Sequence, residues 1–306
     1  MLNIHQNNLN KKNLKNNHYK KKNNSLKPKW IRIKLPTKFN HVNKLKNILR
    51  KYELHTVCEE ARCPNLTECF HNHTATFMIL GNICTRKCSF CAVKKGRPIL
   101  VDPHEPEKLS KVVDKMGIKY IVITSVNRDD LKDGGATQFS NCIHHLRKKN
   151  ENIKIEILVP DFRNSLKYSI DIISKNPPDV FNHNIENVPR LYQLIRPGAN
   201  YYQSLKLLQY FKKKHPNIFT KSGLMLGLGE TEKEVLQVLQ DLRNHDVNML
   251  TLGQYLQPTQ NHIPIKRYVT PLEFQHLYEE AISMGFTKAF CGPLVRSSYH
   301  ANEQVK

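Results

Sequence analysis

Hydrophobic and polar positions along the chain fall into two alternating patterns. Short apolar runs of strand character occupy residues 74–80, 119–126, 154–161, 179–185, 220–227, 249–254 and 287–295. Amphipathic stretches of helical period lie between them, near 106–116, 137–150, 164–175, 188–215, 231–246 and 271–284. Two of these helices announce their starts. Thr231 with Glu234 forms a capping-box pair, and Thr270 with Glu273 forms another with Pro271 at the first helical position. Ahead of the alternating region, residues 31–52 carry apolar positions at irregular spacing. Strict alternation of strand and helix predicts a parallel sheet, either wound into a complete or partial βα barrel or doubly wound, and six or seven units fit the barrel best. The expected fold class is therefore α/β, a partial (β/α) barrel with parallel strands.

Barrels of this kind gather their chemistry at the C-terminal ends of the strands. Polar and glycine-rich segments follow the apolar runs closely here: TSVNRDD at 124–130, NHNIE at 182–186, GLGE at 227–230 and QYLQP at 254–258. Charged and amide residues after four successive strands predict the lining of one pocket.

Length and charge narrow the classes. At 306 residues the chain can bury a substantial core, which excludes a disulfide-stapled mini-protein. No apolar run approaches the roughly 18 residues that cross a bilayer, so a soluble protein with no membrane partner is expected. The net charge of +22 invites a nucleic-acid reading. Residues 1–52 hold 13 Lys and 2 Arg and no acidic residue, which accounts for +15 and leaves the remaining chain only mildly basic. Residues 1–29 are mostly Asn and Lys without periodicity, and are expected to form a disordered basic arm. Tyr19 is the single aromatic residue there, where a single-strand binder needs several interleaved, so nucleic acid is not the expected partner. The arm lacks the apolar core of a secretory signal and lacks arginine, which favours a cytoplasmic location over an organelle matrix.

Six of the eight cysteines fall within 34 residues, as Cys58, Cys63, Cys69 and Cys84, Cys88, Cys91. Clustered thiols in a reducing compartment read as metal ligands. The second group, CTRKCSFC, lets one loop wrap three thiolates around one centre directly after the first predicted strand. Three thiolates complete neither a tetrahedral zinc site nor a four-iron cluster, so one iron would stay open for a cofactor or substrate. The competing reading is a zinc knuckle that borrows a further Cys or His. Cys142 and Cys291, outside the clusters, read as buried small hydrophobes.

CTRKCSFC resembles the signature of the radical S-adenosylmethionine superfamily. Together with CEEARCPNLTEC at 58–69, VNRDDLKDGGA at 126–136, FNHNIENVPRLY at 181–192, GLMLGLGET at 223–231 and GPLVRSSYH at 292–300, the pattern closely resembles the lipoyl synthase family over about four-fifths of the chain. Arg86-Lys87 stands where that family often has two arginines, and Asn187 where it often has Thr. The resemblance implies two [4Fe-4S] clusters and S-adenosylmethionine. Cys84, Cys88 and Cys91 would hold the cluster that cleaves the cofactor. Cys58, Cys63 and Cys69 would hold an auxiliary cluster, with the Ser298 hydroxyl as fourth ligand. The implied reaction is radical-mediated insertion of two sulfur atoms at C6 and C8 of a protein-bound octanoyl group, the auxiliary cluster supplying the sulfur.

Four regions follow: the arm 1–29, an extension 30–73 with the auxiliary cysteines, the barrel 74–295, and the segment 296–306 closing over the auxiliary cluster. Contacts to S-adenosylmethionine are expected from Asn127, Arg128 and Asp129, and next from Glu156, Asn182, His183 and Arg196. Arg296 and Tyr299 flank the proposed ligand serine, to orient it or to contact the carrier lysine. The implied partners are octanoylated lipoyl-carrier domains of 2-oxoacid dehydrogenase E2 subunits and of glycine cleavage H protein. A low-potential flavodoxin or ferredoxin and an iron–sulfur assembly or carrier protein are implied as well. The alternatives are another radical enzyme that inserts sulfur or methylthio groups and, from a different class, a zinc-stabilised RNA-binding protein.

Overall fold

The computed structural model describes residues 27–32, 40–71 and 76–304, so all but the last three residues of the expected arm lie outside the described residues. In chain order the strands are β1 His55–Thr56, β2 Thr76–Ile79, β3 Ile83–Cys84, β4 Lys94–Lys95, β5 Tyr120–Ser125, β6 Lys154–Leu158, β7 Val180–Asn182, β8 Phe219–Leu226, β9 Met249–Gln254 and β10 Lys288–Gly292. The helices are α1 Asn40–Lys51, α2 Val57–Glu60, α3 Leu66–His71, α4 Glu105–Lys115, α5 Ala136–Lys149, α6 Leu166–Ile173, α7 Tyr192–Ile195, α8 Tyr201–Lys214, α9 Glu232–Asn244, α10 Pro271–Ser283 and α11 Ala301–Gln304.

The main sheet runs β1-β2-β5-β6-β7-β8-β9-β10, and every ladder from β2 to β10 is parallel. That order never reverses. Right-handed crossovers therefore place the intervening helices on one face and curl the sheet toward a barrel, rather than winding helices on both sides. The barrel is partial: β1 covers the outer edge of β2 in antiparallel pairing, and among the described residues β10 pairs only with β9.

Side-chain alternation along each strand separates two interiors. Ile121 and Ile123 of β5, Ile155 and Ile157 of β6, and Leu250 and Leu252 of β9 are completely buried in the apolar core. So are Leu109 of α4, Phe139 and Ile143 of α5, and Phe211 of α8, whose ring stacks on Phe181 of β7 with centroids 3.9 Å apart. The alternate positions, Thr76, Met78, Val122, Thr124, Leu158, Gly223, Met225, Thr251 and Gly253, line the space enclosed by the sheet.

Both expected capping boxes are present, at Thr231/Glu234 and Thr270/Glu273. The stretch expected as one amphipathic helix at 188–215 is broken into a 3₁₀ turn, Pro189–Leu191, followed by α7 and α8. Pro197 disfavours helical backbone at Arg196, and Gly198 takes φ +84°, so the chain turns there. The sequence also conceals α1. Val42, Leu45 and Leu49 form its buried stripe at helical spacing, which is obscured when 31–52 is read as one stretch with the irregular apolar positions ahead of it.

Candidate active site

One cavity of about 500 Å³ occupies the barrel interior, and both cysteine triads line it. They stand at opposite ends. Cys84, Cys88 and Cys91 follow the C-terminal end of β2. Thr76, at its N-terminal end, hydrogen-bonds Cys58 through both backbone and side chain. The length of β2, roughly 13 Å at 3.3 Å per residue, lies between. Met78, Val122, Leu158, Leu224 and Met225 give the wall between the triads an apolar character.

The loop of the first triad is fixed from all sides. It leaves β2 through Leu80 and Gly81, both with positive φ, and the Leu80 amide donates to both oxygens of Glu105 at 3.0 Å. The parallel pair β3 and β4 closes its base. Cys84 Sγ accepts from the amides of Arg86 and Asn127 at 3.4 Å. The Ser89 amide donates to Ile195 O at 3.0 Å, and its carbonyl accepts from the Ile263 amide at 3.1 Å. Arg86 is the anchor: its buried guanidinium bonds Asp161 at 3.0 and 3.2 Å, Gly198 O at 3.0 Å, and both oxygens of Asp129. Burial pushes the Cys88 thiol up and the Cys91 thiol to about 12, so loading with metal must displace protons.

The second triad is assembled from two distant parts of the chain. Thr56 caps α2 by accepting from the Glu59 amide, and the Cys63 amide donates to Cys58 O at 3.0 Å. The segment after β10 then folds back onto this extension. Asn65 Nδ2 donates to Leu294 O at 2.7 Å, Tyr299 OH donates to Glu68 at 2.9 Å, and His300 Nε2 lies 3.0 Å from the same oxygen. Thr76 Oγ1, beside Cys58, donates to Ser298 Oγ at 2.7 Å. Glycine makes room for the returning chain: a Cβ on Gly253 would lie 2.1 Å from Val295 O. Burial pushes the Cys58 thiol to about 12, with the neighbouring Cys63 and Cys69 thiols adding to it.

The donor sets fit iron–sulfur clusters. Three neighbouring thiols, with the Ser298 hydroxyl reached through Thr76, would offer four ligands at one end. Three thiols leave one position open at the other. Among the described residues no three of His, Cys, Asp or Glu are gathered closely enough to hold a single metal ion.

The residues expected to contact the cofactor divide. Asn127, His183 and Arg196 line the cavity. Arg128 and Asp129 do not: Arg128 is buried in an ion pair with Asp130 at 2.8 Å, and Asp129 serves Arg86. Glu156 and Asn182 lie apart from the cavity lining, bonded to each other at 2.8 Å in the barrel floor. The reason is partnership: both are completely buried, and Glu156 also bonds Lys221 and Tyr120, which turns these groups away from the cavity. Two charged residues, Arg86 and Lys221, escape sequence reasoning. Arg86 sits inside the cysteine motif. Glu186, in a segment expected to line the pocket, and Arg296, expected beside the ligand serine, both line the cavity, where Glu186 feels the charge of both Arg196 and Arg296. Lys221 lies within β8. A lysine inside an apolar run was the available signal.

His183 is neutral here. Its Nδ1 lies 2.8 Å from Val159 O, a pure acceptor, so that nitrogen carries the hydrogen and Nε2 accepts from Ser204 Oγ at 2.9 Å. Burial first, then the charge of Arg196, lower its pKa to about 4. An unfolded histidine titrates near 6.5, so below that pH the unfolded chain gains a proton that the folded chain refuses. Stability is expected to fall as pH drops from about 6.5 toward about 4. Urea midpoints measured across that range should show a slope that flattens in His183→Gln; an unchanged slope would refute the assignment.

Comparison with known proteins agrees with this geometry. Residues 78–242 match the model of the radical SAM superfamily, and residues 1–63 match the N-terminal domain of lipoyl synthase of that family. The chain is 60% identical over 280 residues to the lipoyl synthase of Baumannia cicadellinicola subsp. Homalodisca coagulata, covering 92% of this chain and 95% of that protein. It is equally similar, at 60%, to the lipoyl synthase of Yersinia pestis (strain Pestoides F), covering 92% and 87%. Among solved structures, methylornithine synthase superposes with a TM-score of 0.53 at 13% identity over 73% of each chain. Streptococcus suis SuiB bound to S-adenosylmethionine superposes with 0.55 at 12% identity, over 83% of this chain and 60% of that one. These two distant structures share the fold alone. The chain belongs to the lipoyl synthase family of the radical S-adenosylmethionine superfamily.

Proposed function

We propose that this chain is a lipoyl synthase acting on an octanoyl group in amide linkage to a lysine of a lipoyl-carrier domain, inserting sulfur at C6 and C8. The observation that carries the reading is the placement of two cysteine triads at opposite ends of one largely apolar cavity, with Ser298 bonded to Thr76 beside Cys58. When bound, the first cluster with S-adenosylmethionine supplies a hydrogen-atom abstractor and the second supplies sulfide. No side-chain acid or base removes a proton from an alkyl carbon, so the chain's own contribution is placement and exclusion of water. Cys84, Cys88 and Cys91 hold the first cluster on a loop made rigid by Arg86. Asn127 and Arg196 present polar groups to the zwitterionic cofactor, and His183, with both ring nitrogens already bonded, forms part of the wall. The apolar wall holds the alkyl chain between the two ends. Cys58, Cys63, Cys69 and Ser298 would hold the second cluster. The carrier domains of E2 subunits and of H protein are the substrates, with a flavodoxin or ferredoxin as electron source and an iron–sulfur carrier for rebuilding.

The test is iron, sulfide and product. Anaerobically reconstituted protein is expected to hold about eight iron and eight sulfide, falling to about four of each in the Cys84→Ala, Cys88→Ala, Cys91→Ala triple variant. The wild type should convert octanoylated carrier to the lipoyl product, and the variant should not. Zinc in place of iron, or a methylthiolated product, would refute the reading. The mildly basic body should also favour acidic carriers. KM for the carrier is expected to rise with ionic strength while kcat holds, and a salt-independent KM would remove that element.

A further inference from the structure

Beneath the cavity, the inner face of the barrel carries a buried ion pair that the proposed reaction leaves without a role. Lys221 of β8 and Glu156 of β6 are both completely buried, with Nζ 3.0 and 3.2 Å from the two carboxylate oxygens. Tyr120 OH donates to Glu156 Oε2 at 2.8 Å and Asn182 Nδ2 donates to Oε1 at 2.8 Å, so each oxygen accepts twice. Withdrawing two charges from water costs several kcal/mol per ion, and an apolar pair of similar volume is often as stable, so stability alone is a weak reason for these residues. The ammonium's remaining bond supplies a better one. Lys221 Nζ donates to the carbonyl of Ser297, the residue before Ser298. With three hydrogens and three acceptors, the ammonium is satisfied only while the returning segment lies in place. Ser297 is gripped a second time, its hydroxyl donating to Asn184 Oδ1 at 2.7 Å.

We infer that the Lys221–Glu156 pair is a positioning latch that, through the Ser297 carbonyl, holds Ser298 at the Cys58, Cys63, Cys69 end of the cavity. The inference rests on the reading of Ser298 as the fourth ligand there. The coupling is reciprocal: the pair fixes the segment, and the segment completes the pair. Lys221 does not line the cavity and acts only through the backbone beside Ser298.

The test uses Lys221→Met combined with Glu156→Gln, which removes both charges together and keeps an acceptor for Tyr120 and Asn182. In the full metal-free chain, amides 296–300 are expected to exchange with deuterium about tenfold faster or more, while those of β5 and β8 keep their protection. In reconstituted protein, a chelator is expected to strip the auxiliary iron about tenfold faster, with the Cys84, Cys88 and Cys91 iron unaffected. Ser298→Ala alone should accelerate that loss, and adding the latch substitutions to it should accelerate it no further. Tyr120→Phe, which deletes a single hydroxyl, should move amides 296–300 in the same direction by less and serves if the double variant does not fold. Unchanged exchange at 296–300, or additive effects with Ser298→Ala, overturns the latch. An unaltered loss rate in Ser298→Ala alone overturns the ligand reading on which it rests, while two-cluster content and product formation test the proposed function separately.

Discussion

Arg86→Ala is expected to destabilise the metal-free fold by about 3–5 kcal/mol, as removal of one partner from a buried charge pair does. Arg86 and Asp161 are almost completely buried, and the guanidinium is the only cation bonded to both Asp161 oxygens among the described residues. Without it, Asp161 must take up a proton or admit water, and Asp129 loses the partner that draws it toward the loop. Gly198 O loses its donor as well. The cysteine loop would then lose its charged anchor and keep the weaker ties at Cys84, Thr85, Ser89 and Cys91. Reconstituted Arg86→Ala should therefore retain about four iron instead of eight and lose S-adenosylmethionine cleavage. Arg86→Lys keeps the charge but not the planar fork that reaches two carboxylates and a carbonyl, so an intermediate loss is expected. Urea unfolding of the metal-free chains gives the stability and metal analysis gives the iron. A stability change under about 1 kcal/mol would show that the network is incidental.

Gly253→Ala tests the other end. The new Cβ would meet Val295 O at 2.1 Å and Arg296 Nη1 at 3.0 Å. The first is backbone on the returning segment and cannot rotate aside, so that segment must shift by more than an ångström to restore contact near 3.4 Å. Ser298 shifts with it. The expected cost in stability is about 1–3 kcal/mol, because the sheet itself is not strained. The cost to the site is larger, a fall of about 10–100-fold in product formed and loss of the iron held by Cys58, Cys63 and Cys69. Gly223→Ala is the comparison one strand away, where the nearest obstruction is a side chain, the Thr251 hydroxyl at 2.4 Å, and the nearest backbone atom, Thr251 O, is at 3.2 Å. Equal effects from the two substitutions would argue against the backbone clash as cause.

The fold was largely legible because alternating strands and helices write their periods locally. All seven apolar runs expected as strands overlap parallel strands, from β2 to β10, and both capping boxes form where Thr231 and Thr270 predict them. The cysteine triads were legible because their spacing is a property of short segments. What escaped is long-range and polar. Lys221 reads as an interruption of an apolar run until β6 brings Glu156 across the barrel. Asp129 reads as a pocket residue until the loop delivers Arg86 to it. Nothing near Ser298 discloses that Thr76, at the start of the barrel, is its neighbour. Local pattern specifies elements, whereas the partners of buried charges follow from closure of the sheet.

That closure also sets an order of manufacture. The six clustered thiols have all been made once the ribosome passes residue 91, but the hydroxyl proposed to join Cys58, Cys63 and Cys69 is made only at residue 298. At about 5–20 residues per second, roughly 10–40 s of synthesis separate them. Through that interval the first triad synthesised stays unfinished, with neither the returning segment nor the strands β5 to β10 around it. Its cluster can be completed only after translation, on a folded barrel. A chain interrupted before residue 294 would keep every cysteine ligand and still lack the means to finish the site that donates sulfur.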